Sequence, residues 1–562
     1  MTDNTAEATD PADSTQIDQI SDQFVRDLVA ISPMTATQLG VSDFDDQLDD
    51  FSPAGLARVQ ELVVRTLAAL ADTESTGPSD DVARSVIVER LEVERDRYES
   101  GWGHAALNVI ASPVQHTRMI FDMTPSETPE QLAVFARRMR AVPAALDGYR
   151  ESLRLGASRG QVAAVRQVRK CAGQCDAFSS FFGSTVSRFV ADGPLRDELA
   201  EAAAIADRAY ADLATFLRDE LAAAAPVEDA VGRERYVLAS REFLGATVDL
   251  EQTYAWGWAE IAAIEAEMKT LAERIAPGEG VKGAAARLDA DPSYTVHGQD
   301  KLKAWMQALS DRAVDELGRT HFDIPEPLRS LECLIAPPGS GVGAYYTPPS
   351  DDFSRPGRMW WSVEADRIDF STWRETTVVY HEGVPGHHLQ IGTSVYRSDR
   401  LNDFQRVLAG TSGHAEGWAL YAERLVREVG YLRNDGDLLG MLDSQMFRAA
   451  RVVLDIGMHL QLPIPEGAGF HDGATWTPEL GLEFLLSHTL MDATQCRDEI
   501  DRYLGWPGQA PAYKVGERVW IAGRDAARAR HGKSFDEKAF HTSALNLGGM
   551  GLEPLEAELA KL

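Results

Sequence analysis

Cysteine, basic residues and long apolar runs are all scarce in this 562-residue chain, and each shortage removes a class of function. Only four cysteines occur, Cys171, Cys175, Cys333 and Cys496, too few to staple so long a chain. The pair in "KCAGQC" has no second pair to complete a four-thiolate zinc knuckle, so Cys171 and Cys175 read as buried thiols on a helix. Lysine and arginine total 55 against 87 acidic residues, a formal net charge of −32. Phosphate backbones and anionic lipids are held by clustered cations, and a surface this acidic repels both. Nucleic acid and membrane are therefore set aside as partners. No run approaches the roughly 18 apolar residues of a membrane-crossing helix. The opening "MTDNTAEATDPADSTQ" lacks the basic start and apolar core of a secretory signal, which makes the cytoplasm the expected compartment.

What is present is an ordinary globular balance, 44% hydrophobic and 25% charged, in a chain long enough to bury a large core. Residues 1–14 are polar and acidic and are expected to form a disordered tail. Beyond them the pattern is mainly α, expected as a large multi-helix fold around a deep cleft. In "FSPAGLARVQELVVRTLAALA" Ser52 caps a helix that Pro53 opens. In "ETPEQLAVFARRMRAV" Thr128 caps, Pro129 opens and Gln131 completes a capping box. Another helical segment runs from Pro194 to Ala225, and periodic apolar positions in all of these are core stripes. Between about Pro327 and Val363 the texture changes. "LECLIAPP", "GVGAYYTPP" and "RMWWSVEA" are short, apolar or aromatic and bounded by Gly and Pro, the marks of strands. They predict a small antiparallel sheet immediately before a helix that Ser371 caps. The 279–301 stretch is the expected linker. The division is a helical region over 15–320 and a second region over 321–562 containing the sheet, packed as one unit.

The helix after the sheet carries "TTVVYHEGVPGHHLQIG", with three of only 13 histidines. His381 and Glu382 fall in the helix interior, where an unpaired charge costs several kcal/mol to bury, and a metal ion would supply the partner. In the familiar H-E-x-x-H arrangement the two histidines share a face about 6 Å apart. Here His387 stands at i+6, on the wrong side of an unbroken helix, and His388 at i+7, about 10.5 Å along the axis. Pro385 has no N–H to give the His381 carbonyl, so the helix must kink or bulge, and Gly386 tolerates the backbone this requires. A two-residue bulge would bring His387 to the place of the regular fourth residue, with His388 the alternative. A third ligand is offered by Glu416 in "GTSGHAEGWALYAERL", aimed from a second helix. Two His and one Glu leave a position open for water, the arrangement of a catalytic zinc. His414 and Glu423 could then orient the ligands.

Three stretches together, "HEGVPGHHLQ", "GHAEGWALY" and "PGQAPAYKVG", resemble a large bacterial family known as domain of unknown function 885, through most of the chain. In order they are similar to stations of the gluzincin-type zinc carboxypeptidases and thimet-type oligopeptidases. There an H-E-x-G-H helix is followed by a ligand glutamate and later by a catalytic tyrosine. The resemblance implies a metallopeptidase-like fold and one zinc per chain, held by His381, His387 and Glu416. It further implies Glu382 as general base and Tyr513 as the tyrosine. The departure is a pair of extra residues before Gly386, which leaves His387 and His388 both open as second ligand. Lys514 and Arg502, close to Tyr513 in sequence, are candidate anchors for a substrate carboxylate. Tyr345 and Tyr346, on a predicted strand, are candidates for binding substrate backbone by edge pairing. The expected function is a zinc-dependent hydrolase of carboxypeptidase or oligopeptidase type acting on a small peptide or amide. The alternatives are hydrolysis of a non-peptide amide and non-catalytic metal binding, and a base beside a ligand speaks against the latter.

Overall fold

A computed structural model describes residues 14–189, 192–336, 343–364 and 366–562. The expected acidic tail lies, Ser14 apart, outside the described residues, as do the ends of the three strand-like stretches at 337–338, 341–342 and 365. The described chain is mainly α-helical. Its helix starts follow local chemistry. Thr128 and Gln131 form the reciprocal capping box that opens the helix Pro129–Ser158. Ser52 accepts from the Gly55 N–H ahead of Pro53–Ala71. The Pro194–Ala225 segment forms the helix Gly193–Phe216, continued by a π-helical turn over Leu217–Leu221.

The core falls into two clusters. One joins Met34 to residues from Leu107 to Leu221 and is built from the Pro129–Ser158 and Gly193–Phe216 helices with their neighbours. The larger one runs from Ile17 to Leu559 and holds the histidine segment. The 279–301 stretch, expected as a linker, is folded: it forms the helix Gly280–Asp289 and a strand, β1 (Thr295–His297).

Four further strands follow: β2 (Leu331–Ile335), β3 (Gly343–Thr347), β4 (Gly357–Ser362) and β5 (Asp369–Ser371). The small sheet expected before the histidine helix is there, and β3 pairs with β4 antiparallel, Tyr345 opposite Trp360. β2 runs parallel to β4, because β4 inserts between β2 and β3 and the chain alternates direction through the three. Burial alternates along β4, with Gly357, Met359 and Trp361 inward. β1 and β5 pair antiparallel, and β5 leads directly into the histidine helix Thr372–Glu382. Ser371 stands at that helix's cap position, but its hydroxyl is spent on Asp289 at 3.0 Å and caps no backbone N–H.

Two later helices complete the frame of the site. The glutamate helix Ser412–Glu428 meets the tyrosine helix Ala512–His531 backbone to backbone at one point, and beyond it Trp418 and Tyr421 pack on Trp520. A Cβ on Gly417 would sit 2.4 Å from the Gly516 carbonyl carbon, and one on Gly516 would sit 1.8 Å from the Gly413 oxygen. Only glycine permits that approach. The arginine helix Asp435–Leu460 packs behind the histidine helix.

Candidate metal centre

The histidine helix ends at Glu382, four residues leave helical geometry, and a second helix starts at His387 and runs to Tyr396. The interruption expected from Pro385 is thus a full break between two helices. Gly386 is obligatory there: a Cβ would lie 1.9 Å from the His381 carbonyl oxygen. Trp418 of the glutamate helix fixes the break, its indole N–H donating to the Pro385 oxygen at 2.8 Å and reaching the Gly386 oxygen at 3.2 Å. With the break in place the imidazoles of His381 and His387 meet, ring centres 4.8 Å apart. The expected juxtaposition of these two residues is what the structure contains.

One ligand atom each from His381, Glu382 and His387 lies within 4.8 Å of the others, and the three are 4%, 6% and 8% exposed. Glu416 closes in further. Its Oε2 is 3.2 Å from His381 Nε2 and 3.5 Å from His387 Nε2. Four donors around one ion at bond lengths near 2.0–2.1 Å stand about 3.3 Å from each other, so these separations suit ligands of a shared ion. The second of them is long for a hydrogen bond.

Behind His381, Glu423 accepts from Nδ1 at 2.8 Å and is itself held by the hydroxyls of Thr377 at 2.7 Å and Ser444 at 3.2 Å. That fixes the Nδ1–H tautomer and turns a lone pair on Nε2 toward Glu416, acceptor against acceptor unless a cation lies between. In the metal-free protein that cation is a proton. Burial alone would strip it, but the Glu416 and Glu423 carboxylates outweigh burial and push the His381 pKa up to about 10. Burial would likewise raise Glu416, yet the His381 and His387 imidazoles beside it hold it well below the usual carboxylate range. Glu382 differs: burial lifts its pKa, neighbouring cations offset this only in part, and its Oε2 is buried without a hydrogen-bond partner. The donor set, the orphaned Glu382 oxygen and the Glu423 brace fit a metal ion.

His388 faces elsewhere. Its Nε2 donates to the Leu328 carbonyl at 2.8 Å and its Nδ1 accepts from the Tyr346 hydroxyl at 3.0 Å, so it ties the second helix to the sheet. Burial lowers its pKa to about 4 and it stays neutral. His414, expected to orient a ligand, contacts Gln390 at 3.2 Å and lies tilted against Trp520, ring centres 5.6 Å apart, instead. Two residues from Glu416 on a helix is about 200°, the opposite face. Glu423, two turns from Glu416, is on the same face and does brace His381.

The remaining candidates separate. Tyr513 lies at the start of the tyrosine helix, its ring flanked by the guanidinium groups of Arg451 at 4.6 Å and Arg448 at 5.9 Å. The preceding turn is anchored where the Gly508 N–H donates to the buried Asp455 at 2.8 Å. Lys514, 1% exposed in its side chain, is committed to Glu517, Glu260 and Gln445 and has no capacity left for a substrate. Arg502 bonds Glu499 at 3.3 Å and Gln509 at 2.6 Å. Tyr345 stacks on Trp360 on β3, at the edge of the sheet. Sequence reasoning missed Trp418, Thr377, Ser444 and Arg448. Only Arg448 carried a signal, a charge within the apolar run "MFRAARVVLDIGMHL".

A family model for bacterial proteins of unknown function (DUF885) matches residues 33–559. The chain belongs to that family. The DUF885 fold is also seen in a crystal structure of a "putative lipoprotein" from Colwellia psychrerythraea, 19% identical, covering 97% of this chain and 98% of that one at a TM-score of 0.82. A "putative lipoprotein of unknown function" from Shewanella oneidensis, 18% identical, covers 97% and 100% at a TM-score of 0.74. Both similarities concern the fold alone. Among curated proteins none matches this DUF885 chain. Among the described residues no helix is long and apolar enough to cross a membrane. The cytoplasmic expectation gains no support from two neighbours named lipoproteins.

Proposed function

We propose that this DUF885 protein is a zinc-dependent hydrolase of amide bonds, a metallopeptidase of carboxypeptidase or oligopeptidase type. The observation that carries the reading is Glu416 Oε2 standing 3.2 and 3.5 Å from two imidazole nitrogens, with the unpartnered Glu382 carboxylate beside them. His381, His387 and Glu416 would hold the ion. Zinc there would polarise a substrate carbonyl and acidify water. The order of HEGVPGHH, a ligand glutamate and a later tyrosine, similar to that of gluzincin-type and thimet-type peptidases, supports the same reading.

The chain's own groups divide the work by environment. Glu382 has no competing hydrogen bond on Oε2, and burial brings its pKa closer to that of a working base, so it takes the proton of the attacking water and passes it to the leaving amine. Glu423 keeps His381 in one tautomer throughout. The Tyr513 hydroxyl, bonded to no other described residue, donates to the oxygen on which charge develops. The edge strand β3 receives an extended substrate backbone, with Tyr345 beside it. The depth of His381, Glu382 and His387 also favours a second reading, the same chemistry on a small non-peptide amide.

Elemental analysis of protein purified without a metal-affinity tag, followed by hydrolysis of a peptide set and a set of small acyl amides, tests the proposal. About one zinc per chain and peptide cleavage that Glu382→Gln reduces by about 10²–10⁴-fold at unchanged metal content are expected. Protein that binds no zinc refutes it. Cleavage confined to the small amides moves the assignment to the second reading.

A further inference from the structure

Three arginines gather at Tyr513 in a protein that is otherwise strongly acidic. Arg448 and Arg451 stand one turn apart on the arginine helix and both flank the Tyr513 ring. Arg502 approaches from the helix Ala493–Gly505. Among the described residues only Glu499 stands at salt-bridge distance from any of them, 3.0 Å from Arg451 and 3.3 Å from Arg502. Arg448 has no carboxylate at salt-bridge distance among the described residues. Its Nη1 donates to the Ser444 hydroxyl at 2.8 Å, its Nε is buried without a partner, and its Nη2 makes no hydrogen bond. Arg451 Nη1 and Arg502 Nε are also buried and unpartnered. Three guanidinium groups with a single salt-bridged carboxylate and three buried, unpartnered nitrogens are a costly arrangement without an anion to complete it.

The location says what the anion belongs to. Ser444, which holds Arg448, also holds Glu423, the brace of His381. Arg448 lies close enough to Glu382 for its charge to act on that carboxyl. The cluster is therefore at the edge of the candidate metal centre, on the side where Tyr513 stands. A flat guanidinium with a free edge matches the two oxygens of a carboxylate, which a lysine would meet only as a point charge.

We propose that Arg448, in the field of Arg451 and Arg502, receives a carboxylate of the substrate, making free-acid peptides or acyl amino acids the preferred substrate class. This rests on the hydrolase reading for what happens to the substrate, but the anion site itself does not. Of the two candidate anchors named from sequence, Lys514 is saturated by its own partners and Arg502 is paired to Glu499 and Gln509 through both terminal nitrogens, so Arg448 is the cation with most capacity to spare. In a chain of net charge −32 such a cluster is also the local exception that lets an acidic substrate approach.

The test measures binding as well as turnover. Zinc-loaded Glu382→Gln protein is titrated with one peptide in three forms: C-terminal acid, C-terminal amide, and amide with aspartate as its last residue. The acid should bind about 10–100-fold more tightly than the plain amide, the range of one charge-assisted bidentate contact. Arg448→Gln should collapse the acid-to-amide ratio toward one, and Arg448→Lys should restore part of it. Tight binding of the aspartyl amide would assign the site to a side-chain carboxylate, and its absence to the chain terminus. Equal affinity for acid and amide in the Glu382→Gln protein overturns the inference, and needs no arginine variant to fold. Equal weakening of both forms by Arg448→Gln overturns it too, leaving Arg448 as a residue that only holds the fold of the site. Acid-selective binding by a protein that cleaves nothing would sink the hydrolase and keep the anion site; cleavage indifferent to the terminus would do the reverse.

Discussion

Raising the pH from 7 to 9 should tighten zinc binding at the candidate site about a hundredfold. The cause is His381, which without metal holds a proton between Glu416 and Glu423 with a pKa of about 10. An ion taking Nε2 must expel that proton, so in this window each pH unit is worth about one factor of ten in apparent affinity, or ~1.4 kcal/mol. Glu416 does not add to the slope, because it is ionised throughout. Zinc affinity in chelator-buffered solution, with calorimetry in two buffers of different protonation enthalpy, reads both slope and stoichiometry. About one proton should be released per ion at pH 8. The same shift predicts the stability of the metal-free protein. His381's folded pKa lies above its unfolded value near 6.5, so its contribution is complete below about 6.5 and is lost as pH rises through about 10. That is about 5 kcal/mol over the full range. The metal-loaded protein should show no such loss, since the ion stands where the proton stood. A flat affinity profile with no proton released would refute the reasoning, because His381 would then be neutral beforehand or no ligand at all.

His387→Ala should abolish stoichiometric metal binding, whereas His388→Ala should retain the metal and lower stability by about 1–3 kcal/mol through its lost bonds to Leu328 and Tyr346; elemental analysis and thermal melts of both check this. Tyr513→Phe should cut turnover about 10²–10³-fold with metal content and melting temperature nearly unchanged, and wild-type turnover would leave the ring as packing between two arginines. Gly516→Ala should destabilise by at least about 2 kcal/mol and weaken metal affinity, because its methyl would push the glutamate helix and Glu416 outward. A variant melting like wild type would mean that the crossing is looser than described.

The parts legible in the sequence were those decided within a few residues. Thr128 and Gln131 announce their helix, and Pro385 with Gly386 announces the break that returns His387 to His381. Glu423 was readable because it lies two turns from Glu416, and the same reasoning applied to His414 places it on the opposite face. What could not be read depended on distant partners. Ser371 looks like a cap until Asp289, 82 residues earlier, takes its hydroxyl. Lys514 looks available until Glu260 and Gln445 reach it from two other helices. The parallel pairing of β2 with β4 follows from strand order, which no local pattern encodes.

Where Gly413, Gly417 and Gly516 bring two helices into backbone contact, there are no interdigitated rotamers to exchange one packing for another. Helices that slide past each other do so by small shifts through side-chain layers, and at this glycine contact there is no such layer to shear. Glu416 and Tyr513, one on each helix, are thus fixed to a single rigid strut. Any change of shape at the candidate centre would have to come from other parts, since the glycine contact holds these two helices in one register. The strut is the one wall of the centre whose geometry the backbone itself sets.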